Sequence, residues 1–214
     1  LDAGIAVIQV KEENKLIAGR STFHVVGTGV SKGSFDWFFK VRDVFETYID
    51  EEALVPWIFI RRCNEGGYVI NQNYVFNPYK KSVDADGVNY NIPEYCQDML
   101  SSFFAARNLD FSAAKKGDLF SLNCFLDKEI WPMKIKFVGK ETIKIGAGRF
   151  RCLKFHPVVQ KGRIFKSEED LTVWITDDKN KIPVRAQAKI LVGSIKMDLN
   201  SYSGLANPIS KVEK

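Results

Sequence analysis

The chain has 214 residues, 45% of them hydrophobic, and a formal net charge of +5. A chain of this length forms one large or two small domains, and this composition supports a sizeable core. No run of about eighteen apolar residues occurs, which excludes a membrane-spanning helix. The lysines and arginines mostly alternate with apolar residues, a pattern more typical of the solvated faces of strands than of a nucleic-acid-binding surface.

The N-terminal part of the chain predicts strands around one short aromatic helix. Strand character covers residues 5–10, 16–26, 41–50, 54–62 and 68–76. Between the second and third of these strands, the segment Phe35–Lys40 reads FDWFFK and predicts one or two helical turns. Gly66-Gly67 and Asp86-Gly87 are turn sequences, so each predicts a β-hairpin.

One longer helix is predicted over Glu94–Asn108. Asn91 and Glu94 have the spacing of a capping box, and Pro93 suits a position in the first turn. The predicted apolar stripe of this helix consists of Tyr95, Met99, Leu100, Phe103 and Phe104. A stripe of this kind normally packs against a sheet or another helix.

From residue 119 onward the sequence predicts one strand after another, over residues 119–126, 130–138, 141–145, 150–159 and 171–176. A last strand is predicted over residues 183–199, with its apolar residues on alternate positions. The alternation changes parity at Gly193, which predicts a β-bulge that bends the strand. A long, bent strand with one buried side belongs in a curved antiparallel sheet. Residues 202–214 are predicted to form a loop tail.

These elements predict an α+β, mainly β fold in a single domain over residues 1–214. A strongly curved antiparallel sheet, an incomplete barrel, is expected to wrap around the main helix and the short aromatic helix. The hollow of such a sheet is the expected place for a ligand. Two features favour a cavity there: small residues on the last strand, and large rings on the helices that cover the sheet. The same pattern also suits a solid core.

The candidate ligand-binding residues are Trp37, Phe38, Met99, Phe103, Phe104, Trp174, Ala186 and Ala188. No catalytic residue, metal ligand or cofactor is predicted. The four cysteines lack C-x-x-C spacing, which disfavours zinc, and a core of this size favours mostly unpaired thiols. The two histidines, His24 and His156, have no adjacent nucleophile motif and are interpreted as structural. Residues 177–180, DDKN, are interpreted as a turn stabilised by side-chain to backbone hydrogen bonds. They lack the repeated spacing of oxygen ligands that a calcium-binding loop has.

Five stretches carry a resemblance to a known family. They are FDWFFKVRDVFETYID (Phe35–Asp50), LVPWIFIRRCNEGGYVI (Leu54–Ile70), CQDMLSSFFAARNLDF (Cys96–Phe111), GRFRCLKFHPVV (Gly148–Val159) and TVWITDDKNKIPVRAQAKILVGSIKMDL (Thr172–Leu199). Together they resemble a family of uncharacterised exported bacterial proteins, a domain of unknown function. That family is in turn similar to the periplasmic lipoprotein-carrier group, in which an incomplete barrel holds acyl chains. The resemblance therefore implies a protein that is exported, and either periplasmic or associated with the outer membrane.

The first functional hypothesis is a non-enzymatic extracytoplasmic protein that binds a lipid-like or other apolar ligand between the main helix and the curved sheet. The alternative is an assembly or scaffold protein of the cell envelope that contacts an envelope protein through a sheet edge or a surface patch. An enzyme is the third hypothesis, and it needs His24 or His156 beside a carboxylate or a cysteine in a cleft. Because the chain begins at Leu1 without a signal-peptide pattern, a processed or incomplete N-terminus is expected.

Overall fold

A computed structural model describes residues 2–158, 167, 170–189 and 193–213. The strands are β1 (Gly4–Val10), β2 (Lys15–Ile17), β3 (Arg20–Ser31), β4 (Val41–Asp50), β5 (Pro56–Glu65), β6 (Tyr68–Asn77), β7 (Ser82–Ala85), β8 (Val88–Asn91), β9 (Leu119–Leu126), β10 (Glu129–Ile145), β11 (Gly148–Pro157), β12 (Leu171–Thr176), β13 (Pro183–Lys189), β14 (Ser194–Asp198) and β15 (Lys211–Val212). The helices are α1 (Gly33–Phe38) and α2 (Ser101–Arg107). The mainly β, antiparallel prediction is confirmed. No helix in the described ranges has the length and apolarity needed to cross a membrane.

The chain divides into two compact units. Unit 1 consists of Leu1–Ala106 and Leu122–Trp131, and unit 2 consists of Arg107–Ser121 and Pro132–Lys214. The single domain expected over residues 1–214 stays a prediction.

Two antiparallel sheets form instead of the single curved sheet that the sequence predicts. The first has the order β1-β3-β4-β5-β6-β7-β8 with β2 also on β3, and the second has the order β14-β13-β12-β11-β10-β9 with β15 on β11. The chain leaves the first sheet after β8, and β9 pairs in the second sheet. Neither sheet is closed or strongly curled.

The core of unit 1 lies on one face of the first sheet. Phe59, Tyr74 and Phe125 have at most 1% of their surface exposed, and the Tyr74 and Phe125 rings meet edge to face at 5.3 Å. Leu100 packs on the same cluster. A Cβ added at Gly27 of β3 would lie 3.6 Å from the Leu100 side chain, an ordinary contact distance, so Leu100 packs over this part of the strand. Gly27 therefore belongs to a packed strand.

Unit 2 contains two further apolar clusters. Phe150 and Val184 are fully buried in one of them, and Phe111 and Phe155 pack at 4.7 Å between ring centres in the other. The predicted turn at residues 177–180 is present: Asp178 Oδ1 accepts hydrogen bonds from the backbone amides of Asn180 and Lys181. Side-chain to backbone bonds of this kind stabilise turns.

The predicted main helix Glu94–Asn108 is wrong in its first half, since helix begins only at Ser101. The backbone of Gln97 is extended because its amide donates to Asn123 O and its carbonyl accepts from Phe125 N. Tyr95 has φ +56, outside the helical region. The Asp98 carboxylate accepts hydrogen bonds from the backbone amides of Leu100 and Ser101 and thereby starts the helix.

The predicted long strand over residues 183–199 is also wrong. β13 and β14 are separate antiparallel strands, and Ala186 pairs with Met197 while Ala188 pairs with Ile195. Gly193 has φ +90 and immediately precedes β14, so the change of parity separates two strands. Residues 190–192 lie outside the described ranges.

The predicted loop tail is only partly a loop. Ser210 is buried and exchanges two hydrogen bonds with the backbone of Arg151, and Val212 pairs with Arg149 in β11. Because these bonds satisfy buried polar groups, the tail contributes to the packing of unit 2.

Candidate functional site

Helix α1 protrudes from unit 1 without burying any of its residues. It begins where Gly33 takes φ +56, a conformation that glycine adopts without strain. It ends at Phe39, which returns to extended backbone while its amide donates to Phe35 O at 2.8 Å. A surface helix normally covers the core with its apolar side. A helix this apolar with nothing buried is therefore unusual.

A polar clamp holds α1 in place. Arg42 on β4 donates to both carboxylate oxygens of Asp36, at 2.6 and 3.0 Å, and Ser31 on β3 donates to the same carboxylate. The Arg42 and Ser31 hydrogen bonds lower the pKa of Asp36 to about 2. Asp36 thus stays ionised and paired at neutral pH, and these polar contacts fix α1 to two strands of the sheet.

The aromatic rings of α1 face water. Trp37 is 83% exposed and Phe38 is 76% exposed, and these two rings meet edge to face at 4.7 Å. Phe35 and Phe39 are 42% and 45% exposed. At roughly 200 Å² for a large aromatic side chain, these four rings leave about 500 Å² of apolar surface in water. The largest apolar patch on a monomeric protein is commonly about 300–600 Å², and it is often functional.

The turn between β5 and β6 lies against this patch. A Cβ built on Gly66 would stand only 2.5 Å from the Phe39 ring, so that ring packs directly on the glycine backbone. The Gly66 amide also donates to Lys40 O at 2.8 Å. The next residues along the chain, Tyr68 and Val69, are exposed as well. We call the side chains of Phe35, Trp37, Phe38 and Phe39 the α1 surface.

Two lysines bracket the aromatic segment. Lys32 immediately precedes α1 and Lys40 follows it, and both are exposed. The remaining charges of residues 32–42 are Asp36 and Arg42, which neutralise each other in the clamp. The segment therefore presents four large rings between two positive charges.

The sequence predicts a ligand between the main helix and the sheet, and the region around Leu100 there is filled with side chains. Met99 and Phe104 pack against the same cluster as Leu100. A shallow groove nearby is lined by residues of unit 1 that include Val55, Phe76 and Ile92. It holds about 170 Å³ of free space, less than the ~300–1,000 Å³ of pockets for drug-sized ligands.

The eight candidate ligand residues are divided between the two units. Trp37, Phe38 and Phe103 are exposed on unit 1, and Met99 and Phe104 are partly buried against its core. The other three candidates, Trp174, Ala186 and Ala188, belong to unit 2. The Trp174 indole there donates to Glu141 Oε2 at 3.0 Å. The prediction that these eight residues contact a ligand stays a prediction.

His24 lies beside a carboxylate, the arrangement that an enzyme hypothesis would require. Its Nε2 is 2.8 Å from Glu46 Oε2, and its ring stacks on Tyr48 with ring centres 4.3 Å apart. His24 on β3 pairs with Tyr48 on β4, and Glu46 lies two residues before Tyr48 on the same strand. They line neither the groove at Val55 nor a second groove lined by Lys140, Glu141 and Cys152. The arrangement is that of a structural pair on a sheet face.

One group of side chains has the spacing of metal ligands. Ligand atoms of Asp43, Cys63 and Glu65 lie within 4.8 Å of one another. Burial raises the pKa of the Cys63 thiol, although a hydrogen bond from Arg61 lowers it. A neutral thiol is a weak ligand and a neighbouring guanidinium repels cations, so we assign no metal to this group.

The four cysteines are free and buried. Burial raises the pKa of Cys96 and of Cys152 to about 12, and it raises the pKa of Cys124 even further. Thiols in such surroundings behave as small apolar side chains. The prediction of unpaired cysteines is confirmed, and these thiols are not candidates for catalysis.

The described sheets and helices define a mainly β, antiparallel protein. Its fold is similar to that of a protein from Brucella abortus described as β-barrel-like and containing the domain of unknown function DUF1849, with a TM-score of 0.54 and 10% identity over 94% of this chain and 88% of that one. A DUF1089 family protein from Pseudomonas aeruginosa aligns with a TM-score of 0.47 and 7% identity over 85% of this chain and 88% of that one. No curated protein matches the chain.

The chain belongs to the DUF3108 family, proteins of unknown function, whose model matches residues 1–200. The resemblance to an uncharacterised family is confirmed by this match. Of the residues that form the α1 surface, the sequence predicts Trp37 and Phe38 as ligand contacts and Phe39 as a ring covering the sheet, and it does not predict Phe35. A signal was present, because FDWFFK offers too few polar residues to form a solvated helix side.

Proposed function

We propose that this protein is a non-enzymatic, extracytoplasmic protein that acts by docking its α1 surface onto another component of the cell envelope. The observation that carries the proposal is the exposure of Trp37 and Phe38 on a helix that buries nothing. Export to the periplasm or the outer membrane is part of the proposal and rests on the family resemblance. The solid packing around Leu100 favours a surface role over an internal one.

The size of the α1 surface suits docking. Removing about 500 Å² of apolar surface from water is worth on the order of 10 kcal/mol before the costs of association are subtracted. The Asp36–Arg42 clamp reduces one of those costs, because α1 is already ordered before it binds. A surface that is rigid in the free protein loses little conformational entropy on binding.

Fractionation of cells that express the full protein tests this proposal. We expect the wild-type protein to sediment with envelope membranes, and we expect the double variant Trp37→Ala, Phe38→Ala to move to the soluble fraction. The matched control is Tyr79→Ala, Tyr95→Ala, which removes two equally exposed aromatic rings outside the α1 surface. A wild-type protein that is wholly soluble, or a Trp37/Phe38 variant that sediments like the wild type, would contradict the proposal.

A second candidate function is the binding of a lipid-like or other apolar ligand, the first hypothesis that the sequence indicates. The groove lined by Val55, Phe76 and Ile92 supports it, with the Lys81–Glu94 ion pair at the rim as a polar anchor. Native mass spectrometry of the purified protein is the direct test. A bound acyl compound that Phe76→Ala removes would support this function. Protein that stays ligand-free after incubation with fatty acids would speak against it.

A further inference from the structure

We infer that the component docked by the α1 surface is an anionic phospholipid bilayer, into whose interface Trp37 and Phe38 insert while Lys32 and Lys40 contact lipid headgroups. This inference rests on the proposed function and adds the chemical class of the partner. A protein partner and a second copy of this chain are the competing occupants, and the experiment below separates them from lipid.

The residue types of the α1 surface match the chemistry of a membrane interface. Tryptophan concentrates at the level of the lipid headgroups, because its ring is apolar and its indole N–H still reaches water. Phenylalanine and tryptophan on the apolar side, with lysines at the edge, are the composition of segments that lie in the interface without crossing the membrane. Trp37, Phe38 and the exposed Lys32 and Lys40 supply this combination within nine residues.

The charges of residues 32–42 favour an anionic lipid surface over an apolar protein surface as the partner of α1. The Asp36 carboxylate would oppose an anionic membrane, but Arg42 neutralises it at 2.6 Å. That pairing leaves Lys32 and Lys40 as the uncompensated charges of the segment, and both carry the sign that anionic headgroups attract. A cation placed on each side of a protruding ring pair is complementary to a negatively charged plane.

The geometry of α1 allows shallow insertion without unfolding. The helix buries no residue in unit 1, so its rings enter the interface without exposing any core side chain. The clamp from Asp36 to Arg42 and Ser31 fixes the base of the helix while Trp37 and Phe38 protrude. The inserted unit is therefore a rigid pair of rings on a short helix.

Co-sedimentation of the purified full chain with protein-free vesicles tests the inference. The probes are vesicles of phosphatidylglycerol and phosphatidylethanolamine, with pure phosphatidylcholine for comparison. We expect binding to the anionic vesicles, weaker binding to phosphatidylcholine, and loss of binding as salt is raised. Trp37→Ala, Phe38→Ala should weaken binding by about a hundredfold, and Lys32→Gln, Lys40→Gln by roughly thirtyfold. Lys115→Gln, Lys116→Gln makes the same charge change on exposed lysines of unit 2 and should leave binding unchanged.

Three other outcomes would overturn the inference, and the measurements distinguish them. Failure to bind vesicles, combined with α1-dependent sedimentation in cells, would mean that the partner is a protein, and the proposed function would survive. A dimer in light scattering that Trp37→Ala, Phe38→Ala converts to monomer, without vesicle binding, would identify a second copy as the occupant. Absence of binding in vesicles, in cells and in solution would overturn the inference and the proposed function together.

Discussion

Asp98 gives the sharpest prediction about stability. Its side chain is fully buried, and the carboxylate accepts hydrogen bonds from Thr47 Oγ1 at 2.5 Å, from Leu100 N at 2.7 Å and from Ser101 N at 2.8 Å. Burial raises its pKa from 3.8 to about 6, although these hydrogen bonds lower it. The folded protein therefore holds the Asp98 proton more tightly than the unfolded chain does.

The sign of the pH dependence follows from that difference. Because the folded pKa of Asp98 lies above the unfolded value, its contribution favours folding most below about pH 4 and is lost as the pH rises towards about 6. A difference of about two pKa units corresponds to about 3 kcal/mol. Asp98→Asn removes the ionisation but keeps a side-chain oxygen to accept the bonds from Leu100 and Ser101.

The assay is urea unfolding followed by circular dichroism at several pH values between 4 and 7. The free energy of unfolding of the wild type, minus that of Asp98→Asn, should fall by about 3 kcal/mol between about pH 4 and pH 7. Taking this difference cancels the contributions of other carboxylates. Thr47→Val removes only the hydroxyl donor and should steepen the wild-type dependence, since it destabilises the ionised carboxylate by about 1.5–3 kcal/mol. A difference that is flat or rises with pH would refute the reasoning.

Three further results are expected. Asp50→Asn should cost about 2–4 kcal/mol and raise the pH at which acid unfolds the protein, because the Arg20 hydrogen bonds hold the pKa of Asp50 low; an unchanged acid transition would contradict this. Phe150→Ala should lower the free energy of unfolding by about 3–5 kcal/mol in urea titrations, and a loss below ~1 kcal/mol would mean that this cluster repacks. The four buried thiols should react with a thiol reagent only after unfolding, so a rapid reaction in the native protein would contradict their assignment as core side chains.

Local sequence patterns predicted most strands, because the alternation of apolar and polar residues is a property of neighbouring positions. The predicted strands over residues 41–50, 119–126 and 171–176 have the bounds of β4, β9 and β12. The predicted turns at Gly66-Gly67 and Asp86-Gly87 also lie between consecutive antiparallel strands. Glycine with positive φ at such turns is a local requirement that the sequence displays directly.

Contacts between distant residues explain the errors. Asn91 and Glu94 imitate a helix cap, but the backbone bonds of Gln97 to Asn123 and Phe125 hold this segment extended. No local pattern reveals a pairing across more than twenty residues. The change of parity at Gly193 led to the wrong prediction of one long strand for another reason. A turn between two strands and a β-bulge within one strand both shift the alternation of apolar residues.

Only part of the candidate site could be predicted from the sequence. The aromatic density of residues 35–40 was evident, and it led to Trp37 and Phe38 as apolar contacts. Their exposure was not evident, because burial depends on what the rest of the chain places over a helix. The polar clamp between Asp36 and Arg42 needs the pairing of β3 with β4 to bring Ser31 close as well. Sequence spacing alone does not show that arrangement.

The fluorescence of Trp37 tests the central claim most directly. Subtracting the emission of Trp37→Phe, which keeps an aromatic ring at this position, from that of the wild type isolates the Trp37 signal. On addition of anionic vesicles, we expect the Trp37 emission to move to shorter wavelength and to become shielded from acrylamide, because the indole leaves water. An emission maximum and a quenching rate that stay unchanged at saturating lipid would contradict a docked α1 surface on membranes.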